Sequence, residues 1–296
     1  MFKFLVLLFL CLLFFQPDKG IAGAKEGLLL WYNAILPAQL PFVIGVRLFM
    51  KSLSFDKISP ILFNFASGLI AGYPVGSRTT AQLYRQGCIT KENITALAAF
   101  SNMAGPLFIL GTIGTVLFQN RCYGYILLAN HWLTAAILFC SVMFRERKIG
   151  VRSVKGDSVS KNQTLSRKYN ESESVKKQAF GNLIGDAVGE TSLLMLKIAG
   201  FIVLFSVLKQ WSGGAIGALL ELSGGVRWMI GQDIGVQWKL VGCSFLINFS
   251  GGCVILQSLG TMEECPISAL GFVGWKVVQG ILAAGIMLVI CQFLFL

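Results

Sequence analysis

Charged residues are scarce in this sequence, and their scarcity restricts the class of protein. Only 13% of the 296 residues are charged, whereas 55% are hydrophobic. A soluble domain carries roughly 25% charged residues, which it needs to cover its surface. A chain with about half that share cannot present a polar surface on every side. The composition therefore predicts a protein whose surroundings are largely lipid.

Side chains suited to catalysis or metal binding are also few. His131 is the single histidine, and none of the eight cysteines forms a Cys-x-x-Cys pair. Most of the cysteines lie in apolar runs, which is typical of small buried residues. The sequence shows no metal-binding pattern and no nucleophile beside a base. We therefore expect no catalytic residue, no metal site and no cofactor, and we expect that the protein is not an enzyme.

Apolar segments recur along the chain and predict an all-α polytopic membrane protein with about eight to ten membrane segments. The first lies within residues 1–20 and predicts an N-terminal span, with a cleaved signal peptide as the alternative. The others form a first membrane part over residues 21–144 and a second over residues 181–296. Several are short or interrupted, which predicts broken or re-entrant helices. The predicted interruptions lie at Pro37 and Pro41, at residues 72–74, at residues 102–106, at residues 223–225 and at residues 248–252.

A basic, polar stretch separates the two parts. Residues 145–177 carry ten basic and four acidic side chains, in a chain whose net charge is +11. Binding to nucleic acid could explain such charge, but short basic loops of membrane proteins normally mark the cytoplasmic side. We therefore predict that residues 145–180 form a flexible cytoplasmic linker and that nucleic acid is not a partner.

The two parts share a sequence pattern, which predicts two related halves. Residues 102–110 and residues 248–256 both read Asn-x-x-Gly-x-x-x-Ile-Leu. Short or Gly/Pro-interrupted segments at corresponding positions of two halves are typical of transport sites. Close helix packing explains the glycines equally well. Packing alone does not require the asparagine, however, so the duplicated pattern favours a functional site.

Three stretches of the first part resemble a known family. Residues 27–42 (GLLLWYNAILPAQLPF), 66–78 (ASGLIAGYPVGSR) and 100–108 (FSNMAGPLF) are similar to the YlbJ-type sporulation integral membrane proteins, in the wider nucleoside-recognition or Gate domain group. Residues 221–225 and 248–252, together with Gln257, resemble the same family more weakly. The resemblance implies a role in endospore formation, in the membrane around the developing spore. It also implies movement of a small metabolite, with dipicolinate as the substrate.

These features together predict a transporter or channel-like protein that moves a small anionic metabolite across a bacterial cell membrane. Two alternatives remain open: a non-transporting assembly protein that recruits partners through the linker, and a nucleoside transporter. The expected partners are the metabolite and the lipid bilayer, and homo-oligomer formation stays open. The candidate substrate-binding residues are Arg78, Ser77, Asn102, Gly105, Glu221, Asn248, Gly251 and Gln257.

Two of these residues carry specific hypotheses. Arg78 is expected in the first turn of a helix with Ser77 as its N-cap, where it could bind a carboxylate through two hydrogen bonds. That role predicts that lysine cannot replace it, whereas a marker of the cytoplasmic edge could be either residue. Glu221 is expected to carry a coupling proton or to pair with a basic side chain such as Lys197.

Overall fold

The computed structural model describes residues 2–52, 59–148, 180–262 and 265–294. Every regular element in those ranges is helical, which confirms the predicted all-α class. Two segments, Trp31–Ile35 and Phe108–Leu117, have π-helical geometry. The α-helices are α1 (Phe2–Phe15), α2 (Pro17–Leu30), α3 (Leu36–Ser52), α4 (Pro60–Ala71), α5 (Val75–Arg85), α6 (Lys91–Ser101), α7 (Arg121–Lys148), α8 (Phe180–Ser212), α9 (Gly214–Leu220), α10 (Leu222–Ile230), α11 (Val236–Phe249), α12 (Gly251–Gly260) and α13 (Ala269–Leu294).

Five helices of the described chain are long and apolar enough to cross a membrane. Shorter apolar helices lie at Val6–Phe15, Ile61–Ala71 and Phe108–Leu117. Many large apolar side chains point outward, as lipid surroundings require. The chain is therefore a polytopic all-α membrane protein, as its composition predicts. The five long segments cover Pro17–Phe49, Arg121–Met143, Gly181–Ser212, Val236–Gly260, which a break at Ser250 divides, and Ala269–Leu294.

The helical elements from Pro17 to Lys148 follow one another in an order similar to that of the elements from Phe180 to Leu294. Each part begins with a long helix, which is Pro17–Phe49 in the first part and α8 in the second. A short broken segment follows, formed by α4 and α5 or by α9 and α10. Next comes a longer broken segment, formed by α6 with Phe108–Leu117 or by α11 with α12. An unbroken helix, α7 or α13, ends each part.

The two long opening helices pack antiparallel and tie the parts together. Lys209 of α8 donates to Glu26 at 2.5 Å near one end of the pair. Near the other end, Arg47 forms an ion pair with Glu190. Gly27 allows the backbones to approach, because a Cβ at that position would lie 2.8 Å from a side chain of α8.

The prolines of the second apolar segment do not interrupt it, so that prediction is wrong. Pro37 and Pro41 both lie within one continuous helix from Pro17 to Phe49. The preceding turn, Trp31–Ile35, has the wider π-helical geometry. A π-helical turn is one of the ways in which a helix absorbs a missing hydrogen bond without stopping.

Two predicted boundaries also differ from the structure. The N-terminal helix ends at Phe15, and α2 begins at Pro17, so residues 17–20 belong to the next helix. Helix α7 continues through Lys148, four residues into the predicted linker. The rest of that linker, residues 149–179, lies outside the described residues.

Candidate functional site

Four helices stop inside the bundle. Helix α4 ends before Gly72, α6 before Asn102, α9 before Glu221 and α11 before Ser250, and in each case another helix begins within a few residues. Three of these four breaks lie where the sequence predicts them. Most of the residues at the breaks are buried. Irregular backbone in such a position needs hydrogen-bond partners supplied by the protein or by a water-filled cavity.

The fourth break lies at Glu221 and not at residues 223–225, so the predicted position is wrong. The Glu221 carboxylate accepts hydrogen bonds from the amide of Ser223, at 2.9 Å, and from the amide of Gly224. Those two bonds cap α10, because they satisfy N–H groups that have no partner within the helix. The helix therefore begins directly after the glutamate, and the two glycines lie inside its first turn.

Within each part, the two breaks lie against each other. The Tyr73 amide donates to the Met103 carbonyl at 2.7 Å, and a Cβ at Gly72 would meet the backbone of Gly105. In the second part, a Cβ at Gly251 would lie 3.1 Å from the first amide of α10. Gly72 and Gly251 both have φ of +72°, a conformation that glycine adopts without strain. At both positions, glycine therefore allows two backbones to approach closely.

Asn102 is fully buried where α6 ends. Its side-chain oxygen accepts hydrogen bonds from Ser77 Oγ at 3.0 Å and from Ser258 Oγ at 2.8 Å. Its backbone carbonyl accepts a hydrogen bond from Lys276 Nζ at 2.9 Å. This single residue therefore joins α5 of its own part to α12 and α13 of the other part.

Asn248 occupies the corresponding position near the end of α11 and joins the same network. Its side-chain oxygen contacts His131 Nδ1 at 2.8 Å and accepts from Gln279 Nε2 at 3.4 Å. His131 Nε2 accepts from the Ala104 amide at 3.1 Å, within the break after α6. Gln279 Oε1 in turn accepts from Lys276 Nζ at 3.0 Å. The two asparagines therefore share one continuous hydrogen-bond network, which we call the polar centre.

A narrow crevice lies at the breaks of Tyr73 and Glu221 and is lined by residues of both parts. Its polar lining comes from Gln39, Tyr73, Glu221, Ser223 and Gln257, and apolar side chains form the rest. The Gln257 Nε2 atom is buried and has no hydrogen-bond partner among the described residues. Tyr73 and Glu221, from two different breaks, therefore line the same crevice as the Gln257 amide, whose N–H donor has no acceptor among the described residues.

The basic side chain near Glu221 is Lys209 and not Lys197, the example that the sequence suggests. Lys197 is exposed on α8. A Cβ at Gly224 would lie 2.8 Å from Lys209 Nζ and 2.9 Å from Glu221 Oε2, so both groups face the same point. Lys209 also donates to Glu26, so one lysine lies close to two acidic side chains from different helices.

The structure brings together all of the candidate residues except Arg78. The Arg78 side chain is exposed on α5, and the described residues provide it with no ion pair or side-chain hydrogen bond. Ser77 is buried, but the N-cap of α5 is Pro74, so its predicted capping role is wrong. The grouped candidates are Ser77, Asn102 and Asn248 in the polar centre, Gly105 and Gly251 at the backbone contacts, and Glu221 and Gln257 in the crevice.

The sequence interpretation missed Lys276, Gln279 and His131. A charge inside an otherwise apolar segment is a known signal of function, and Lys276 within α13 carries that signal. His131 gives no such signal, because it is a lone histidine without a recognisable partner nearby in the sequence. In the described part of the chain, no group of three or more His, Cys, Asp or Glu side chains is placed to hold a metal ion.

Fold and site together define a multi-pass helical membrane protein whose interrupted helices surround a polar centre. The chain is similar to the sporulation integral membrane protein YlbJ of Bacillus subtilis (strain 168), with 26% identity over an alignment of 313 residues that covers 91% of this chain and 77% of that protein. This finding confirms the resemblance to YlbJ-type proteins, while the wider Gate grouping stays a prediction. No family model and no solved structure matches the chain.

Proposed function

We propose that this protein is a transporter or channel-like protein that moves a small anionic metabolite, with dipicolinate as the substrate, across a membrane of the sporulating cell. The observation that carries the proposal is the convergence of four helix breaks on a buried polar centre and a crevice. Helix breaks of this kind form the substrate sites of many transporters, because free backbone groups at half-helix ends can bind a ligand.

The polar centre lies between the two parts of the chain, which suits alternating access. Lys276 of the second part donates to the Asn102 carbonyl of the first part. Asn248 of the second part contacts His131 of the first part. Transport by rocking of one part against the other occurs around a site at their interface. Relative movement of the parts would exchange these cross-part hydrogen bonds, and a bound substrate could replace some of them.

The helix ends at the centre favour an anion. Helices α5 and α12 both begin at breaks and have no side-chain cap. Their N-terminal amides and the positive ends of their dipoles are suited to bind a carboxylate. Glu221 supplies a carboxylate of this kind to α10, which shows that such a helix end in this protein accommodates one.

The similarity to a protein named for sporulation supports the proposed cellular role. Dipicolinate fits the helix ends chemically, because its two carboxylates can accept several N–H donors at once. A neutral nucleoside would gain less from uncapped helix ends, since the dipole favours negative charge.

Uptake into lipid vesicles tests this function. The purified protein is reconstituted, and uptake of labelled dipicolinate is compared with uptake into protein-free vesicles. We expect saturable uptake that unlabelled dipicolinate inhibits and that uridine does not. Inhibition by uridine would favour the nucleoside alternative. Absence of uptake by correctly folded protein would contradict transport of dipicolinate and favour an assembly role.

A further inference from the structure

Lys276 is a buried lysine that pairs with no acid in the described part of the chain. The residue is 0% exposed in α13. Its Nζ atom donates to two uncharged oxygens, the Asn102 carbonyl at 2.9 Å and Gln279 Oε1 at 3.0 Å. Among the described residues, no Asp or Glu side chain forms an ion pair with it. A lysine ammonium has three N–H donors, so its third N–H has no acceptor within the described ranges.

The surroundings of Lys276 provide partial charges but no full negative charge in the described part of the chain. The titratable side chain nearest to it in the network is His131, whose Nε2 accepts a hydrogen bond from the Ala104 amide, so the ring is neutral and carries no charge of either sign. One of the two serines that donate to Asn102 is Ser77, in the first turn of α5, whose helix end carries partial positive charge. A lysine inside a membrane protein pairs with an acid or with backbone carbonyls and often marks a substrate pathway. Lys276 has the carbonyl and no acid, so a bound anion would add the missing counter-charge.

The N-terminus of α10 shows which chemical group a helix N-terminus binds in this fold. Glu221 fills it with its own carboxylate, which accepts from two amides. The residue before α5 is Pro74, which has no side-chain acceptor to offer. The uncapped end of α5 and the Lys276 ammonium therefore lie on two sides of Asn102, and both are suited to a carboxylate.

We propose that Lys276 is the fixed positive charge that binds a carboxylate of the transported anion, beside Asn102 and the N-terminus of α5. The inference rests on the proposed function and names the substrate class of that site as a small carboxylate. The free N–H of Lys276 donates to a carboxylate oxygen of the substrate. A purely structural lysine, by contrast, would only brace the break through its bond to the Asn102 carbonyl.

The test compares a charged ligand with an uncharged ligand of the same shape. Equilibrium binding of dipicolinate and of its neutral analogue, pyridine-2,6-dicarboxamide, is measured on the purified parent protein and on Lys276→Met and Lys276→Gln. Lys276→Gln keeps an N–H that can donate to Asn102. Lys197→Met is the matched control, because it removes an exposed lysine from a membrane helix.

We expect the parent protein and Lys197→Met to prefer dipicolinate over the diamide. Both Lys276 variants should bind dipicolinate at least about 30-fold more weakly, as when one partner of a buried charge pair is removed, with diamide binding unchanged. A folded Lys276 variant that keeps the parent preference for dipicolinate overturns the inference while leaving transport intact. Absence of both binding and uptake in the parent protein contradicts the proposed function itself. If neither variant folds, equal binding of the two ligands by the parent protein overturns the inference, and a preference for dipicolinate supports it.

Discussion

Asn102 and Asn248 lie at the ends of two different helices, and three successive hydrogen bonds through Lys276 and Gln279 join them. The two asparagines occupy the same place in the duplicated sequence pattern. Buried hydrogen-bond networks polarise their members and are costly when partly satisfied. The network therefore fixes how the two parts of the chain meet, and any movement between them must rearrange it.

Gly76 should tolerate no side chain. A Cβ at this position would overlap the Ser101 carbonyl at the end of α6. We expect Gly76→Ala to lower the free energy of unfolding by about 1–3 kcal/mol or more, as overpacking of a core does. Gly45→Ala is the matched control, since nothing lies within 4 Å of its Cβ position and alanine favours a helix. Thermal unfolding in detergent measures both, and equal melting temperatures would contradict the packing of α5 on α6.

Glu221 should stabilise the protein through the N-terminus of α10. Removing its carboxylate leaves the amides of Ser223 and Gly224 without their acceptor, so Glu221→Ala should cost about 0.5–2 kcal/mol. The control is Glu92→Ala, which removes an exposed acid from the first turn of α6. Its loss should cost no more than about 1 kcal/mol. A smaller loss of stability for Glu221→Ala than for Glu92→Ala would argue against the cap.

Arg78 should be replaceable by lysine. The side chain is exposed and lies outside the polar centre, so the structure favours a charge at the membrane edge over a ligand for carboxylate. We expect Arg78→Lys to insert, fold and take up dipicolinate like the parent protein. A folded Arg78→Lys protein with clearly weaker uptake would restore the hypothesis of two specific hydrogen bonds, which lysine cannot reproduce.

The basic segment between the two parts should face the cytosol. Its excess of basic side chains is the reason, because such loops are retained on the cytoplasmic side. A single cysteine at position 160, in a chain without other cysteines, should resist a membrane-impermeant thiol reagent in intact cells. It should react once the cells are permeabilised. Ready labelling in intact cells would reverse the orientation of every helix.

The sequence predicts the positions of the helix breaks better than it predicts which residues contact them. Glycine, proline and asparagine mark the breaks at Gly72, Asn102 and Ser250, because these residue types disfavour continuous helix locally. The break at Glu221 was misplaced by two residues because the adjacent glycines suggested it. A carboxylate that caps its own helix allows those glycines to remain helical.

The membership of the polar centre depends on contacts between distant residues. Lys276 and Asn102 are 174 positions apart, and His131 and Asn248 are 117 positions apart. No local pattern specifies such pairs, so the sequence identified the asparagines without their partners. The burial of Lys276 could have been suspected from its apolar segment, whereas the role of His131 required the fold.

Transport by variants of the two asparagines tests the central claim most directly. Uptake of labelled dipicolinate into vesicles is measured for Asn102→Ala, Asn248→Ala and the control Asn33→Ala, whose asparagine is exposed on the first long helix. Removing either buried asparagine leaves its hydrogen-bond partners unsatisfied, which costs about 1–3 kcal/mol. We therefore predict at least about tenfold slower uptake for Asn102→Ala and Asn248→Ala, and parental uptake for Asn33→Ala. Parental uptake by folded Asn102→Ala and Asn248→Ala proteins would contradict the account.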